Sequence, residues 1–290
     1  MFSGAFTAIV TPFKNGQVDE KAFKNLIRFG MDGGVNGFVP CGTTGESPTL
    51  SHEEHNRVVE MTVKEVSGQV KVIAGTGSNS TAEAISLTRH AKQVGVDAAL
   101  LVSPYYNKPT QEGLYNHFKA IAEAVDIPLV LYNIQCRTGV NIENSTMEKL
   151  SRIPNIVGVK EASGSILQMS EVIRLCGSDF DVLSGDDQMT FPLMALGGKG
   201  VISVVTNIIP DRMSDLVKSM LAGDVDKART IHFEIYELCQ TMFVETNPIP
   251  IKAALSLMGK IEPEFRLPLC MPSAANLEKI RTTLAKFNLI

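Results

Sequence analysis

Short apolar stretches alternate with amphipathic stretches along most of the chain. Eight apolar runs, rich in β-branched residues, recur at the spacing of a repeated strand–helix unit. They cover residues 5–10, 37–39, 70–74, 98–102, 129–132, 156–160, 181–183 and 200–204. Strands that are apolar throughout are typical of a parallel sheet covered on both faces. We therefore predict eight buried parallel strands.

The stretches between these runs carry helix signals. Ser51, Ser80 and Ser145 each precede a glutamate by three residues, the pattern of a capping box at a helix start. Gly95 and Gly177 stand where helices are expected to end. Eight strands that are each followed by a helix predict an α/β fold, the (β/α)8 TIM barrel.

The strand pattern stops near residue 223, and only helical patterns follow, at 224–244, 247–258 and 273–287. Prolines at 248 and 263 separate these three segments. No flexible linker precedes them. We predict a catalytic barrel over residues 1–223 and a C-terminal three-helix domain over residues 224–290, packed on the barrel wall.

Composition narrows the class of protein. The 290 residues are 44% hydrophobic and 20% charged with a net charge of −4, which fits a globular domain, and no basic block predicts a nucleic-acid partner. Five cysteines without a C-x-x-C pair favour a reducing compartment. No apolar run reaches the ~18 residues of a membrane span, and no secretory signal is recognised. We expect a soluble cytoplasmic protein.

The sixth apolar run ends in Lys160, at the strand end where barrels place their active sites. Alternation along a strand would put Ile156, Gly158 and Lys160 on one face, with Gly158 leaving space beside the lysine. A lysine here could simply extend into water. Buried instead, its amine would lose a proton more readily and could attack a ketone to form an imine.

Other strand ends carry groups that suit a keto acid. Thr43 and Thr44, between glycines, could bind one carboxylate, and Arg137 could bind a second. Each also has a structural interpretation, as a turn or a solvated loop charge. No cluster of histidine and cysteine follows the strands, which disfavours a metal. Together these groups favour a Schiff-base aldolase that needs neither a metal nor an organic cofactor.

The chain resembles the dihydrodipicolinate synthase / N-acetylneuraminate lyase family of class I aldolases along essentially its whole length. The matching motifs are Gly42-Thr43-Thr44-Gly45-Glu46, Tyr132-Asn133 followed by Arg137-Thr138-Gly139, and Gly158-Val159-Lys160-Glu161. Thr43-Thr44 and Arg137 are most similar to the subfamily that condenses pyruvate with L-aspartate 4-semialdehyde. That reaction is the first committed step of the diaminopimelate route to lysine.

The resemblance implies catalytic roles. Lys160 would form the Schiff base with pyruvate, and Tyr132, Thr43 and Tyr106 would form a hydroxyl relay for protons. Tyr106 would reach in from a neighbouring subunit, which implies at least a homodimer and, as in most of the family, a homotetramer built as a dimer of dimers.

The resemblance also implies binding roles. Thr44 and Ile202 match positions that contact pyruvate, and Arg137 matches the position that holds the carboxylate of the aldehyde. Gln135 stands where the family usually has proline. Because glutamine frees φ and restores an N–H donor, we expect the loop that carries Arg137 to shift slightly.

A feedback site for L-lysine is implied at six further positions: Ser47, His52, His55, Asn79, Glu83 and Tyr105. Glu83 would pair with the ammonium group of the ligand. The two histidines have one-face helical spacing but no third metal ligand, so on spacing alone they are interpreted as structural.

Three alternatives remain open. A relative could act on a sugar acid or another aldehyde, although Arg137 argues against this. A non-catalytic amino-acid-binding relative is opposed by the combination of Lys160, Tyr132 and Thr43. A metal-dependent aldolase would be indicated by loss of activity with a chelator.

Overall fold

Residues 2–290 are described by a computed structural model, in which eight parallel strands close into a barrel. The barrel strands are β1 (Gly4–Ala8), β4 (Gly37–Val39), β5 (Lys71–Gly75), β6 (Ala98–Val102), β7 (Leu129–Asn133), β8 (Ile156–Glu161), β9 (Asp181–Ser184) and β10 (Gly200–Ser203). Every predicted strand is confirmed to within two residues at either end. A small antiparallel hairpin, β2 (Phe13–Lys14) and β3 (Gln17–Val18), was not predicted because such short strands carry no periodicity.

Helices surround the barrel in chain order. They are α1 (Glu20–Asp32), α2 (His52–Val66), α3 (Thr81–Val94), α4 (Gln111–Ala124), α5 (Gln135–Thr138), α6 (Asn144–Leu150), α7 (Ile166–Cys176), α8 (Thr190–Ala195) and α9 (Pro210–Leu221). Ser51 caps α2 in a full capping box, and the Ser80 side chain accepts from the first turn of α3. The prediction that Ser145 caps a helix is wrong, because α6 begins at Asn144 and its N-cap is Glu143. Gly95 and Gly177 end their helices as expected.

Two apolar layers form the core. The barrel interior is filled by large side chains from several strands, including Phe6, Ile73, Leu100, Leu183 and Ile202, each at most 3% exposed. A second, larger layer lies between the strands and the surrounding helices. A filled interior closes the barrel beneath its carboxyl end, so within the barrel there is room for a ligand at the rim and not deeper.

Strand β8 carries a bulge that sets the direction of Lys160. Its pairing with β7 passes from Ile156 directly to Gly158, leaving Val157 unpaired. Ile156 consequently packs in the outer layer, whereas Lys160 contacts the interior. The prediction that Ile156 and Lys160 share a face is wrong, because simple alternation does not hold across a bulge.

The glycine beside the lysine stem is also not the expected one. A Cβ at Gly158 would lie 2.4 Å from the carbonyl oxygen of Asp181, so this glycine lets β9 approach β8. A Cβ at Gly185 would lie 3.1 Å from Cε of Lys160. The space beside the lysine is therefore left by Gly185, in the loop after β9, and not by Gly158 as predicted.

Three helices follow the barrel, α10 (Val225–Thr241), α11 (Ile249–Leu257) and α12 (Ala274–Lys286). The three predicted C-terminal helices are confirmed, each slightly shorter than its pattern. Helix α10 packs against α9 and α8, and α12 packs against α10 and α11. Arg266, between α11 and α12, donates to both carboxylate oxygens of Glu54 on α2. Within residues 2–290, no helix is long and apolar enough to cross a bilayer.

Candidate active site

Lys160 lies at the carboxyl end of β8 and is only 6% exposed. It does not extend into water: its Nζ lies 4.3 Å from the centre of the Tyr132 ring. Burial lowers the pKa of Lys160 to about 7, with the Arg137 charge adding to the shift and the Asp187 carboxylate opposing it. A large fraction of this amine is therefore neutral, and nucleophilic, near pH 7.

Tyr132, on the neighbouring strand β7, carries the nearest phenol. Tyr132 and Lys160 are paired directly in the β7–β8 register. Burial raises the pKa of Tyr132 to about 12, although Arg137 and a hydrogen bond with Thr43 partly oppose the shift. The phenol therefore keeps its proton at neutral pH. A protonated phenol joined to a hydroxyl, beside a neutral amine, can pass a proton to or from a bound ligand.

A cavity of about 220 Å³ opens at this end of the barrel. Its walls include three of the predicted active-site residues, Thr43, Tyr132 and Arg137. Ser47 and Tyr105, predicted for the lysine site, line the same cavity. Lys160 is not a lining residue and adjoins the cavity through its contact with Tyr132. Residues of the predicted active site and of the predicted regulatory site thus line the same cavity.

The Thr43 loop, residues 41–46, connects β4 to the short helix Ser47–Thr49. Thr44 is 3% exposed, and its Oγ1 accepts a hydrogen bond of 3.0 Å from Nδ2 of Asn247. Thr11, which follows β1, donates from Oγ1 to the Gly45 carbonyl at 2.7 Å. These bonds hold Thr44 and its neighbour Gly45 from two sides. Ile202, also predicted to contact pyruvate, is fully buried in the barrel interior.

Arg137 lies on α5, a single helical turn that follows β7. Its Nη2 donates to the carbonyl oxygen of Asn247 at 2.9 Å. Gln135 is the first residue of this turn, and proline is common at the first position of a helix. The N–H that glutamine restores has no partner within the helix, because first-turn N–H groups never do. Gln135 is thus compatible with α5, and Arg137 lies on the cavity wall. The slight shift of this loop relative to the rest of the family stays a prediction.

Four of the six predicted regulatory residues form two bonded pairs. His52 Nε2 lies 2.8 Å from Oε1 of Glu83, and Asn79 Nδ2 donates to the Tyr105 carbonyl at 3.2 Å. The hydrogen bond from Ser78 lowers the pKa of Glu83, and the contact with His52 lowers it further by a smaller amount. Glu83 therefore presents a carboxylate, as binding of an ammonium group requires.

His55 is buried and bonds through Nε2 to the Gly75 carbonyl at 2.8 Å. Burial lowers the pKa of His55, so the ring is neutral at pH 7. Gly75 and Ser47 both line the cavity, which puts His55 directly behind its wall. Across residues 2–290, no three histidine, cysteine, aspartate or glutamate side chains are grouped to hold a metal ion.

Tyr106 is the one predicted relay residue that the single chain does not bring to the cavity. It is 90% exposed, and its φ of 74° lies in the left-handed region. The side chain therefore extends into solvent and is not part of the cavity lining. Its neighbour Tyr105 lines the cavity instead.

Two site residues were missed by sequence reasoning. Asn247 joins Thr44 to Arg137, but it lies 203 residues from Thr44 and no local pattern marks it. Asp187 is 2% exposed, and Oδ2 accepts from the N–H groups of Val204 and Val205, both at 3.1 Å. Burial raises the pKa of Asp187 to about 6. Its position directly after the seventh predicted strand was a signal that could have identified it.

The pH dependence of the first chemical step should follow the Lys160 amine. Because the predicted nucleophile is the neutral amine, kcat/KM for a keto acid should rise as pH increases through about 7. Asp187→Asn removes the carboxylate that raises this pKa, so the rise should move to lower pH. Initial rates across this range test both expectations. A flat profile, or a shift to higher pH in the variant, would contradict the assignment.

Known proteins are similar to this chain over its whole length, in sequence and in structure. The family model described as "Dihydrodipicolinate synthetase family" matches residues 1–287. The 4-hydroxy-tetrahydrodipicolinate synthase of Syntrophus aciditrophicus is 57% identical over 290 residues, covering all of both chains. The chloride-inhibited dihydrodipicolinate synthase of Acinetobacter baumannii, solved in complex with pyruvate, is 46% identical with a TM-score of 0.98 over the full length of both chains.

A further solved relative is the enzyme of Cyanidioschyzon merolae with lysine bound. It is 41% identical and has a TM-score of 0.96, covering 100% of this chain and 99% of its own. The similarity to each of these three relatives covers both the barrel and the C-terminal helices.

Proposed function

The chain belongs to the dihydrodipicolinate synthetase family, and on that premise we propose how its residues carry out the reaction. The reaction is the condensation of pyruvate with L-aspartate 4-semialdehyde to 4-hydroxy-tetrahydrodipicolinate, in the biosynthesis of lysine. The observation that carries the proposal is the buried Lys160 amine, with a pKa of about 7, against Tyr132.

Lys160 performs the covalent step. Its neutral amine attacks the ketone carbon of pyruvate, and the carbinolamine loses water to give a protonated imine. The imine draws electrons from the adjacent methyl group, which loses a proton and becomes the enamine carbon. The covalent imine supplies the electron sink, so this step needs no metal or organic cofactor.

Tyr132, Thr43 and Tyr106 carry the protons of these steps. Tyr132 and Thr43 share a hydrogen bond beside Lys160, and the phenol remains protonated at neutral pH. Tyr106 completes the relay from a neighbouring subunit, and its 90% exposure supports this role. The active enzyme is accordingly a homodimer at least, and we infer a dimer of dimers.

Arg137, Thr44 and Ile202 hold the substrates. Thr44 and Ile202 contact pyruvate, and Arg137 binds the carboxylate of the semialdehyde. The enamine carbon attacks the aldehyde to form the new carbon–carbon bond. The amine of the condensed product then displaces Lys160 and closes the ring.

A coupled assay with pyruvate and L-aspartate 4-semialdehyde tests this function. Arg137→Gln should raise KM for the semialdehyde roughly tenfold or more, because a charged hydrogen-bond partner is lost. Borohydride trapping of pyruvate alone should persist, because Arg137 takes no part in that step. Its pH dependence should move to higher pH, since the Arg137 charge helps to lower the pKa of Lys160. Arg152→Gln, a control on an arginine paired with Glu148 outside the site, should behave as wild type. Cleavage of N-acetylneuraminate to pyruvate, with no turnover of the semialdehyde, would refute the substrate assignment.

L-Lysine is the inferred feedback inhibitor, bound by Ser47, His52, His55, Asn79, Glu83 and Tyr105. The relative with lysine bound and the shared cavity wall of Ser47 and Tyr105 support this assignment. Ligand binding there could change the active site through that common wall, which gives the two sites a route for coupling.

The Glu83 carboxylate should determine the response to L-lysine. About millimolar L-lysine should lower wild-type turnover, and Glu83→Gln should remove most of that effect because the ammonium partner is lost. The measured quantity is the ratio of rates with and without lysine in each protein. Glu60→Gln is a matched control, since Glu60 pairs with His90 between the same two helices. Inhibition that survives Glu83→Gln unchanged would exclude this site.

A cytoplasmic location suits this reaction. Both substrates are intermediates of biosynthesis, and the five cysteines are all free thiols, as in a reducing compartment.

A further inference from the structure

Among residues 2–290, the ion pair between Lys252 and Glu46 is buried almost completely. The Nζ of Lys252, on α11, contacts Oε1 of Glu46, and the two side chains are 1% and 0% exposed. Phe13 and Phe265 cover the ammonium, with ring centres 4.4 Å and 4.8 Å from Nζ. Removing two charges from water is costly, so such a pair is retained where the geometry of both partners is well fixed.

Glu46 is the last residue of the Thr43 loop. Its φ of 52° and the φ of 55° at Cys41 put left-handed, non-glycine residues at both ends of the loop. Such conformations persist only where the surrounding structure holds them, and they cluster at active sites. The pair with Lys252, together with a 3.4 Å hydrogen bond from the Arg266 N–H to Oε2, holds Glu46 in this conformation.

The segment that supplies Lys252 also reaches both substrate loops. Asn247, which lies two residues before α11, donates to Thr44 and accepts from Arg137. Lys252 lies in the first half of that helix. The C-terminal helices therefore contact the Thr43 loop at two points, one beside Thr44 and the other at Glu46.

We propose that Glu46 and Lys252 are positioning residues, through which the C-terminal helices fix Thr43 and Thr44 at the distance from Lys160 that the reaction needs. The inference rests on the proposed function, because it assigns the loop its role in pyruvate binding and proton relay. Neither residue touches the reacting atoms. The pair acts by limiting the movement of a loop whose displacement by about 1 Å can cost two orders of magnitude in rate.

Three variants separate positioning from simple stabilisation: Glu46→Gln, Lys252→Met and the double variant. Each single change leaves one charge buried without its partner, so both should lower Tm. The double variant leaves no buried charge, so its Tm should return most of the way to wild type. Glu54→Gln is the control, since it weakens another charged contact between the C-terminal segment and the barrel, the one with Arg266. It keeps a capping-box residue and lies outside the Thr43 loop.

Each variant is compared by kcat/KM for pyruvate per folded enzyme and by the rate of borohydride trapping with pyruvate. Both values should fall about tenfold or more in the single variants and stay low in the double variant, because neither side chain then holds the loop. Glu54→Gln should stay within about twofold of wild type. Should a single variant fail to fold, the double variant decides the question.

Recovery of both Tm and kcat/KM in the double variant would overturn the inference, because the pair would then serve stability alone. Equal kcat/KM in all variants would overturn it as well. A wild-type protein that traps no pyruvate would refute the proposed function, and this inference with it. Normal wild-type trapping with no loss in the double variant would refute the positioning role and leave the function standing.

Discussion

Lys160→Ala should lower the condensation rate by about three orders of magnitude or more, as removal of a covalent nucleophile does in other enzymes. In the proposed mechanism the Lys160 amine forms the bond to pyruvate, and alanine has no amine to do so. The other lysine found fully buried, Lys252, is engaged with Glu46. Steady-state turnover with pyruvate and L-aspartate 4-semialdehyde measures the loss.

Two further variants make this result specific. Lys160→Met keeps most of the volume of the side chain, so its loss of activity cannot be attributed to a cavity in the barrel. Lys199→Ala removes a lysine that directly precedes β10, at the opposite end of the barrel, and should turn over as wild type. Activity of Lys160→Met above about one per cent of wild type would remove Lys160 from the covalent step.

Tyr132→Phe should lower kcat by roughly 10²–10³-fold, within the range attributed to general acid–base catalysis. The phenol lies between Lys160 and Thr43 and has a pKa of about 12, so it is the proton carrier nearest to the imine. The ring itself remains in the barrel interior, and Tm should change by only a few degrees.

Tyr115→Phe provides the comparison, because Tyr115 lies on α4 and packs in the outer apolar layer, away from the cavity. Its turnover should match wild type. A Tyr132→Phe enzyme with full kcat would show that the protons travel by another route, and the relay assignment would fail.

The fold was predictable because its signals are local. Each barrel strand is a short apolar run, and each run is followed by a helical pattern, so the order of elements defines the barrel. The strand-end rule likewise identified Lys160 and Tyr132, which are direct neighbours across β7 and β8. The bulge at Val157 was not predictable, because an extra residue in a strand leaves no mark in an apolar run.

The contacts that hold the site are mostly long-range, and these were not predictable. Asn247 and Lys252 lie more than 200 residues from the loop that they hold. Their positions depend on how the C-terminal helices dock, which no short pattern encodes. Gly185 is a similar case, since only the geometry of the packed barrel reveals that it, and not Gly158, leaves space for the lysine.

Burial is the physical cause of the reactivity that we assign to Lys160. Without it the amine would be almost fully protonated at neutral pH, and imine formation would be slow. The filled barrel interior below and the closely packed Gly185 beside the stem remove water from around the side chain. The packing of the barrel around Lys160 therefore determines how reactive its amine is.

The most direct test is to reduce the wild-type protein with borohydride in the presence of pyruvate and locate the adduct by peptide mass spectrometry. We expect one reduced pyruvate per chain, attached to Lys160, and none when pyruvate is omitted. An unmodified Lys160 peptide, or an adduct on another lysine, would contradict this expectation.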